Sequence, residues 1–136
     1  MLRRLSAFGF EPRIDGVQRF AEENLVILAR HGRTDVDIDL SLAQLPFEQE
    51  AISEAEWVRF GRTQVPVPRA TALVIYKMVA ARPKDLADVE ALIVGRADID
   101  TAAVERNLKE FDALLDLGRA DEWRRLFTRV SDVAGG

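Results

Sequence analysis

Hydrophobic and polar positions alternate strictly from Thr34 to Leu42, the clearest pattern in the chain. Asp35, Asp37, Asp39 and Ser41 fall on one side of a strand, and Val36, Ile38, Leu40 and Leu42 on the other. Ahead of it, Asn24 to His31 carries the apolar run Leu25-Val26-Ile27-Leu28, which predicts a buried strand. With His31-Gly32-Arg33 as the turn, the two predict a β-hairpin. Leu2, Leu5 and Phe8 predict a short helix stopped by Gly9. Pro46 suits the first position of a helix over Phe47 to Glu54. Trp57 to Phe60 and Thr63 to Val67, around Gly61-Arg62, predict a second hairpin.

The rest reads as helix. Ala70 to Arg82 is apolar nearly all round and should be buried. Leu86, Val89, Leu92 and Ile93 mark an amphipathic helix after Pro83, ending at Gly95. Asp98-Ile99-Asp100-Thr101 supplies a cap for a helix whose core face is Val104, Leu108, Phe111, Leu114 and Leu115. A last helix spans Asp121 to Val130, and Ala134-Gly135-Gly136 should fray. Trp57 and Trp123 both sit in apolar patterns and are expected in the core. The layout is α+β: one domain over 1–136, strand-rich over 1–68, helical over 69–130, with a tail at 131–136.

Composition narrows the chemistry. Hydrophobic residues make up 48% and charged residues 31%, which suits a soluble globule. With no cysteine, a disulfide scaffold, a zinc–thiolate site and a cysteine nucleophile are excluded. The single histidine, His31, excludes a multi-histidine metal site, and at a turn it reads as polar surface. Ser41 has no histidine pattern for a hydrolase triad. The net charge of -4 gives no global footprint for nucleic acid. Arg3, Arg4, Arg13, Arg19, Arg30 and Arg33 make the first quarter locally basic, as a solvated face would be. Met1-Leu2-Arg3-Arg4 is basic, but Leu5 to Phe10 is too short and broken for a signal sequence, and no run reaches membrane-spanning length. The expectation is a cytoplasmic protein with no membrane partner.

Two features hold candidate chemistry. Three carboxylates on one strand face, roughly 7 Å apart, need water, a cation or a metal to offset them. Lys77 lies inside an apolar helix and needs a partner or a polar cleft, whether a ligand phosphate, the acidic strand or a snorkelling route to solvent. Arg82, Lys84, Asp85 and Asp88 gather at the following helix junction, where Arg82 and Asp85 are placed to pair and Asp85 favours the helix start.

Three stretches resemble the C-terminal portion of minimal nucleotidyltransferases of the DNA polymerase β superfamily, the group that includes abortive-infection and toxin–antitoxin nucleotidyltransferases. They are Val36-Asp37-Ile38-Asp39-Leu40-Ser41-Leu42 with Leu45-Pro46-Phe47-Glu48, then Val65-Pro66-Val67-Pro68, then Lys77…Arg82-x-Lys84-Asp85-x-x-Asp88. The resemblance implies a partial mixed or antiparallel sheet of two hairpins followed by a helical bundle. It implies Asp39, or failing that Asp37, as the third catalytic carboxylate and a magnesium ligand. Asp35 is expected to be solvated. Lys77, with Arg82 and Lys84 beside it, would meet the phosphates of a nucleoside triphosphate, and Asp85 and Asp88 would support them. The acceptor would be a hydroxyl, RNA among the options.

The chain departs from that family where its catalysis begins. A Gly-Gly-Ser (or Thr) helix start and a following Asp-x-Asp strand are expected before the acidic strand, yet Gly-Gly occurs only at Gly135-Gly136. Arg69-Ala70-Thr71 replaces the usual acidic pair at the start of the lysine helix. Without the phosphate cradle, unaided catalysis is not expected. Three readings stand: a nucleotidyltransferase whose first motifs lie upstream, an inert nucleotidyltransferase-like module for a nucleotide or protein partner, and a likeness of architecture alone. The first also predicts self-association through an exposed sheet edge.

Overall fold

The computed structural model describes residues 1–95 and 97–135. The chain forms two compact units, Met1–Gln49 and Glu50–Gly136. It is α+β, with helices and two small antiparallel sheets, one of three strands and one of two.

The first unit contains α1 (Leu2–Ala7), β1 (Phe10–Pro12), α2 (Val17–Asn24), β2 (Val26–His31) and β3 (Val36–Ser41). Its sheet runs β1-β2-β3, so β2 is central. In the register Ile27 faces Leu40 and Ala29 faces Ile38, which collects the apolar side of the alternation on one face. Val17 and Ala21 of α2 pack there with Ile27, and Leu2, Leu5, Ile14, Leu40 and Leu42 complete the cluster. Two boundaries differ from the sequence reading. Leu25 takes a left-handed conformation (φ 56°) that closes α2, so the strand opens at Val26. Asp35 is also left-handed (φ 56°) and belongs to the turn, so the acidic strand opens at Val36. Asp tolerates this region better than a bulky residue does.

Helix α3 (Pro46–Ser53) spans the boundary between the units. The second unit then holds β4 (Glu56–Phe60), β5 (Thr63–Val67), α4 (Ala70–Ala80), α5 (Pro83–Val94), α6 (Thr101–Leu115) and α7 (Arg119–Gly135). Gly61, at φ +60°, opens the two-residue loop between β4 and β5, where a side chain would be strained. The core is the bundle: Val74, Ile75 and Met78 of α4, Val89 and Ile93 of α5, Val104 and Leu108 of α6, and Trp123, Leu126 and Val130 of α7. Burying each large side chain contributes about 1.5–3 kcal/mol.

Side chains cap the starts of α6 and α7. Asp100 caps α6 by accepting the Ala103 N–H at 2.9 Å. Asp112, near the end of α6, accepts the Arg119 and Ala120 N–H groups at 2.7 and 2.9 Å and so caps α7 from a neighbouring helix. Backbone of the expected frayed tail is helical as far as Gly135; Gly136 lies outside the described residues.

Two expectations of burial fail. Leu114 and Leu115, expected on the core face of α6, lie in its last turn and are 74% and 57% exposed. Trp57 is not in the core either. Trp123 is buried, 2% exposed, but Trp57 is 67% exposed. The β4–β5 ribbon has only two strands, and its main packing partner is itself. A two-stranded ribbon has no second layer to bury an aromatic against.

Candidate functional site

The predicted site residues divide between the two units, and each group has its own geometry. In the first unit the outer face of the sheet carries them. Glu11, Arg30 and Asp37 stand in one row across β1, β2 and β3. In the next row, the Arg13 N–H donates to the Leu28 carbonyl at 3.1 Å, and Leu28 is opposite Asp39. Cations therefore lie among the carboxylates across the sheet.

Arg30 donates to both oxygens of Asp37, at 2.6 and 3.2 Å, and to Asp35 at 3.1 Å. Arg13 reaches Asp37 at 3.3 Å and Asp39 at 2.9 Å. The bidentate Arg30 holds the Asp37 carboxyl below its ordinary range, and Asp37 in turn raises Arg30. The counter-charge of the acidic strand is thus guanidinium. Both carboxylates stay accessible, with side chains 42% and 63% exposed. Asp35, expected to be solvated, is 81% exposed and still pairs with Arg30.

His31 closes the β2–β3 turn. Its Nδ1 lies 2.6 Å from the Thr34 hydroxyl and accepts the Thr34 N–H at 3.3 Å, while its ring packs on Phe10.

In the second unit the site is the α4–α5 corner. Ala81 turns left-handed (φ 46°) to end α4, and Arg82, preceding Pro83, is held extended (ψ 154°). Pro83 then opens α5 where a missing N–H costs nothing. Asp85, one turn in, is 2% exposed and is the buried charged residue of the described chain. Its carboxylate accepts the Arg82 N–H at 3.3 Å and the Arg82 side chain at 2.5 and 3.3 Å. Lys77 donates to Asp85 at 3.3 Å and to Asp88 at 2.6 Å.

These contacts hold the Asp85 carboxyl down to about 2, with Arg82 the largest cause, against the opposing effect of burial. Asp88 above all, and Asp85, raise Lys77. The costly lysine of α4 is therefore paired by Asp85 and Asp88 in the first turns of α5. Lys84 is exposed and, among the described residues, joins no ion pair.

Sequence reasoning missed Arg13 and Arg30 as parts of the acidic face. The hairpin register carries a signal for Arg30, since it sets Arg30 opposite Asp37. Arg13 had no such signal, because β1 is three residues long and ends in a proline.

Asp37 and Asp39 are the only metal-type donors expected on the acidic strand, and guanidinium groups already engage both. Among the described residues no group of three or more His, Cys, Asp or Glu is placed to hold a metal ion. The donors present do not by themselves fit a magnesium ion, which needs near-octahedral oxygen ligation. No described helix is long and apolar enough to cross a membrane. Compared with known proteins, the chain matches no family model and no curated protein.

Proposed function

We propose that this chain is a nucleotidyltransferase-like module. It would transfer a nucleotidyl group from a nucleoside triphosphate to a hydroxyl acceptor once a segment with the Gly-Gly-Ser start and the Asp-x-Asp strand is supplied. The observation that carries the reading is the outer face of β3. Asp37 and Asp39 stand on one strand face, exposed, and are offset only by side-chain guanidinium groups. Exposed ion pairs of this kind are weak, so such carboxylates can exchange their counter-charge when another cation arrives. Asp39 has the freer carboxylate and is assigned the acceptor-activating role. Magnesium and the triphosphate would be held mainly by the supplied segment. Lys77 is paired within the corner, which leaves Lys84 and the exposed side chain of Arg82 as the accessible cations of the late motif.

The test uses the protein as its source cells make it, purified intact and incubated with α-labelled nucleoside triphosphates and magnesium. Label transfer to protein or RNA is expected, and Asp39→Asn should lower it by about 100-fold or more, the scale of a lost general base. An Asp39→Asn protein as active as the parent would sink the assignment.

A second reading is favoured by the same ion pairs. They occupy Asp37, Asp39 and Lys77 completely enough that the chain could be a catalytically inert binding module, such as one component of a toxin–antitoxin pair. The free edge of β3 is where a partner strand or a second copy would add. Calorimetry with ATP and magnesium separates the two. Binding without transfer supports the inert module, and a protein that shows neither ATP binding nor transfer and captures no partner protein rejects both.

A further inference from the structure

The β4–β5 ribbon carries a surface that the acidic strand and the α4–α5 corner do not use. Strand alternation and register place its side chains. Trp57 lies opposite Pro66 and Arg59 opposite Gln64 on one face, while Val58 lies opposite Val65 and Phe60 opposite Thr63 on the other. The first face is open at every position, with Trp57 67% exposed. On the second face Val65 is half-buried. The charges are lopsided. Between Glu56 and Arg69 there is one carboxylate, Glu56, against Arg59, Arg62 and Arg69, and Glu56 is taken by Arg69 at 3.4 Å. Among the described residues Arg59 donates only to the Gly61 carbonyl of its own loop, at 3.3 Å, and Arg62 joins no ion pair. In a chain of net charge -4 this ribbon is a local island of unneutralised cations.

We infer that the Trp57 face of the ribbon binds single-stranded nucleic acid. The chemistry matches that ligand term by term. An indole lying open on a strand accepts a stacked base of any identity. Arg59, two residues along the same face and roughly 7 Å away, is at the spacing of a flanking phosphate or a second base plane. Gln64 beside it offers an amide donor and acceptor to a base edge. Arg62 at the loop extends the phosphate track. A duplex hides its base faces and cannot use the indole. An acidic protein segment would meet the same arginines and could pack an apolar side chain on the indole. The cationic track of Arg59 and Arg62 beside the indole favours the nucleic acid, and the oligonucleotide titration decides between the two. The inference does not rest on the nucleotidyltransferase reading, because it needs neither a triphosphate nor a metal.

The test is direct because the chain has two tryptophans and Trp123 is buried. Quenching of tryptophan emission by an added base therefore reports on Trp57. The intact protein is titrated with a fluorescein-labelled oligouridine of about a dozen nucleotides, following both tryptophan emission and anisotropy. Quenching and binding are expected together, weaker for the matching duplex. Trp57→Ala should weaken binding by about 10-fold or more, with Trp57→Phe recovering part of it. Arg59→Glu with Arg62→Glu should weaken it at least as much and flatten its salt dependence. Arg3→Glu with Arg4→Glu, an exposed cationic pair elsewhere, should leave it unchanged. Because Trp57, Arg59 and Arg62 are all exposed, circular dichroism should show every variant folded. No quenching at about 100 μM oligonucleotide, the weak end of non-specific affinity, overturns the inference. So does equal binding of duplex, or binding lost with Arg3 and Arg4 but kept by Trp57→Ala. A protein that co-purifies through Trp57 while oligonucleotide fails to bind also overturns it, and identifies an acidic partner instead.

Discussion

Two Arg–Asp clusters share the same chemistry and differ in setting. On the outer face of the first unit's sheet, Arg13 and Arg30 bind Asp37 and Asp39, whose side chains are 42% and 63% exposed. At the α4–α5 corner, Arg82 and Lys77 bind Asp85, whose side chain is 3% exposed. Water reaches every contact on the sheet; at the corner it reaches the Arg82 side chain, 76% exposed, but hardly the Asp85 carboxylate. An exposed pair contributes little net stability, whereas a buried carboxylate stripped of its partners is left uncompensated. The acidic face is therefore held loosely, and the corner is built around a buried charge.

Asp85→Ala breaks that comparison if the corner is dispensable. It leaves Lys77 with Asp88 alone and removes the acceptor of the Arg82 N–H. Its melting temperature should fall by roughly 10 °C or more, against roughly 2 °C or less for Asp37→Ala. Calorimetric melting of both variants checks this, and equal losses would place the two clusters in one class.

Acid should distinguish them next. The Asp85 carboxyl titrates at about 2 when folded against an ordinary 3.8, so its contribution is present above pH 4 and disappears as pH falls from 4 toward 2. Melting of the parent should therefore drop across that window by several degrees more than melting of Asp85→Asn. Asp37 is also lowered, and its exposed pairs should add only a shallow slope. Parallel pH curves for parent and Asp85→Asn would remove the corner's special status.

What the sequence made legible follows the same division between local pattern and tertiary setting. The period of two in Val36 to Leu42 and the apolar run before it placed the hairpin, because β-alternation is local. Pro46, Pro83 and Gly95 marked helix ends for equally local reasons, as did the charged corner, where Arg82 and Asp85 are three residues apart. Helix α2 was passed over although Val17, Phe20 and Ala21 have helical spacing. Its N-cap is Gly16 in a left-handed conformation, with no side-chain cap bond to announce it. Trp57 misled because an apolar pattern says that a face prefers burial, not that another layer exists to bury it. Arg13 became part of the acidic face only through a three-residue strand that sets it beside Leu28.

Lys77→Met tests whether the lysine belongs to the corner or is held for a ligand. Methionine suits an apolar helix, so a lysine kept for a phosphate would give a variant as stable as the parent or more so. In the corner its ammonium neutralises Asp85 and Asp88, and Lys77→Met should lower the melting temperature by roughly 3–6 °C. Asp85, keeping Arg82, should still titrate low but above about 2, as read by carboxyl-carbon NMR.

The smallest effect belongs to the sheet face, and salt exposes it. Arg30→Gln removes the bidentate partner of Asp37 and leaves Asp35, Asp37 and Asp39 with Arg13 as their remaining guanidinium. At low salt the crowding of like charges along β3 should cost roughly 1–2 °C of melting temperature. At about 1 M salt, where screening acts within roughly 3 Å, the difference from the parent should vanish. Because the arginines bind in competition with water and ions, Arg30→Gln should also bind manganese, a paramagnetic probe read by broadening of Asp37 and Asp39 signals, more tightly than the parent does. Unchanged broadening would mean that guanidinium does not guard these carboxylates, and the exchange of counter-charge on which the proposed function depends would lose its support.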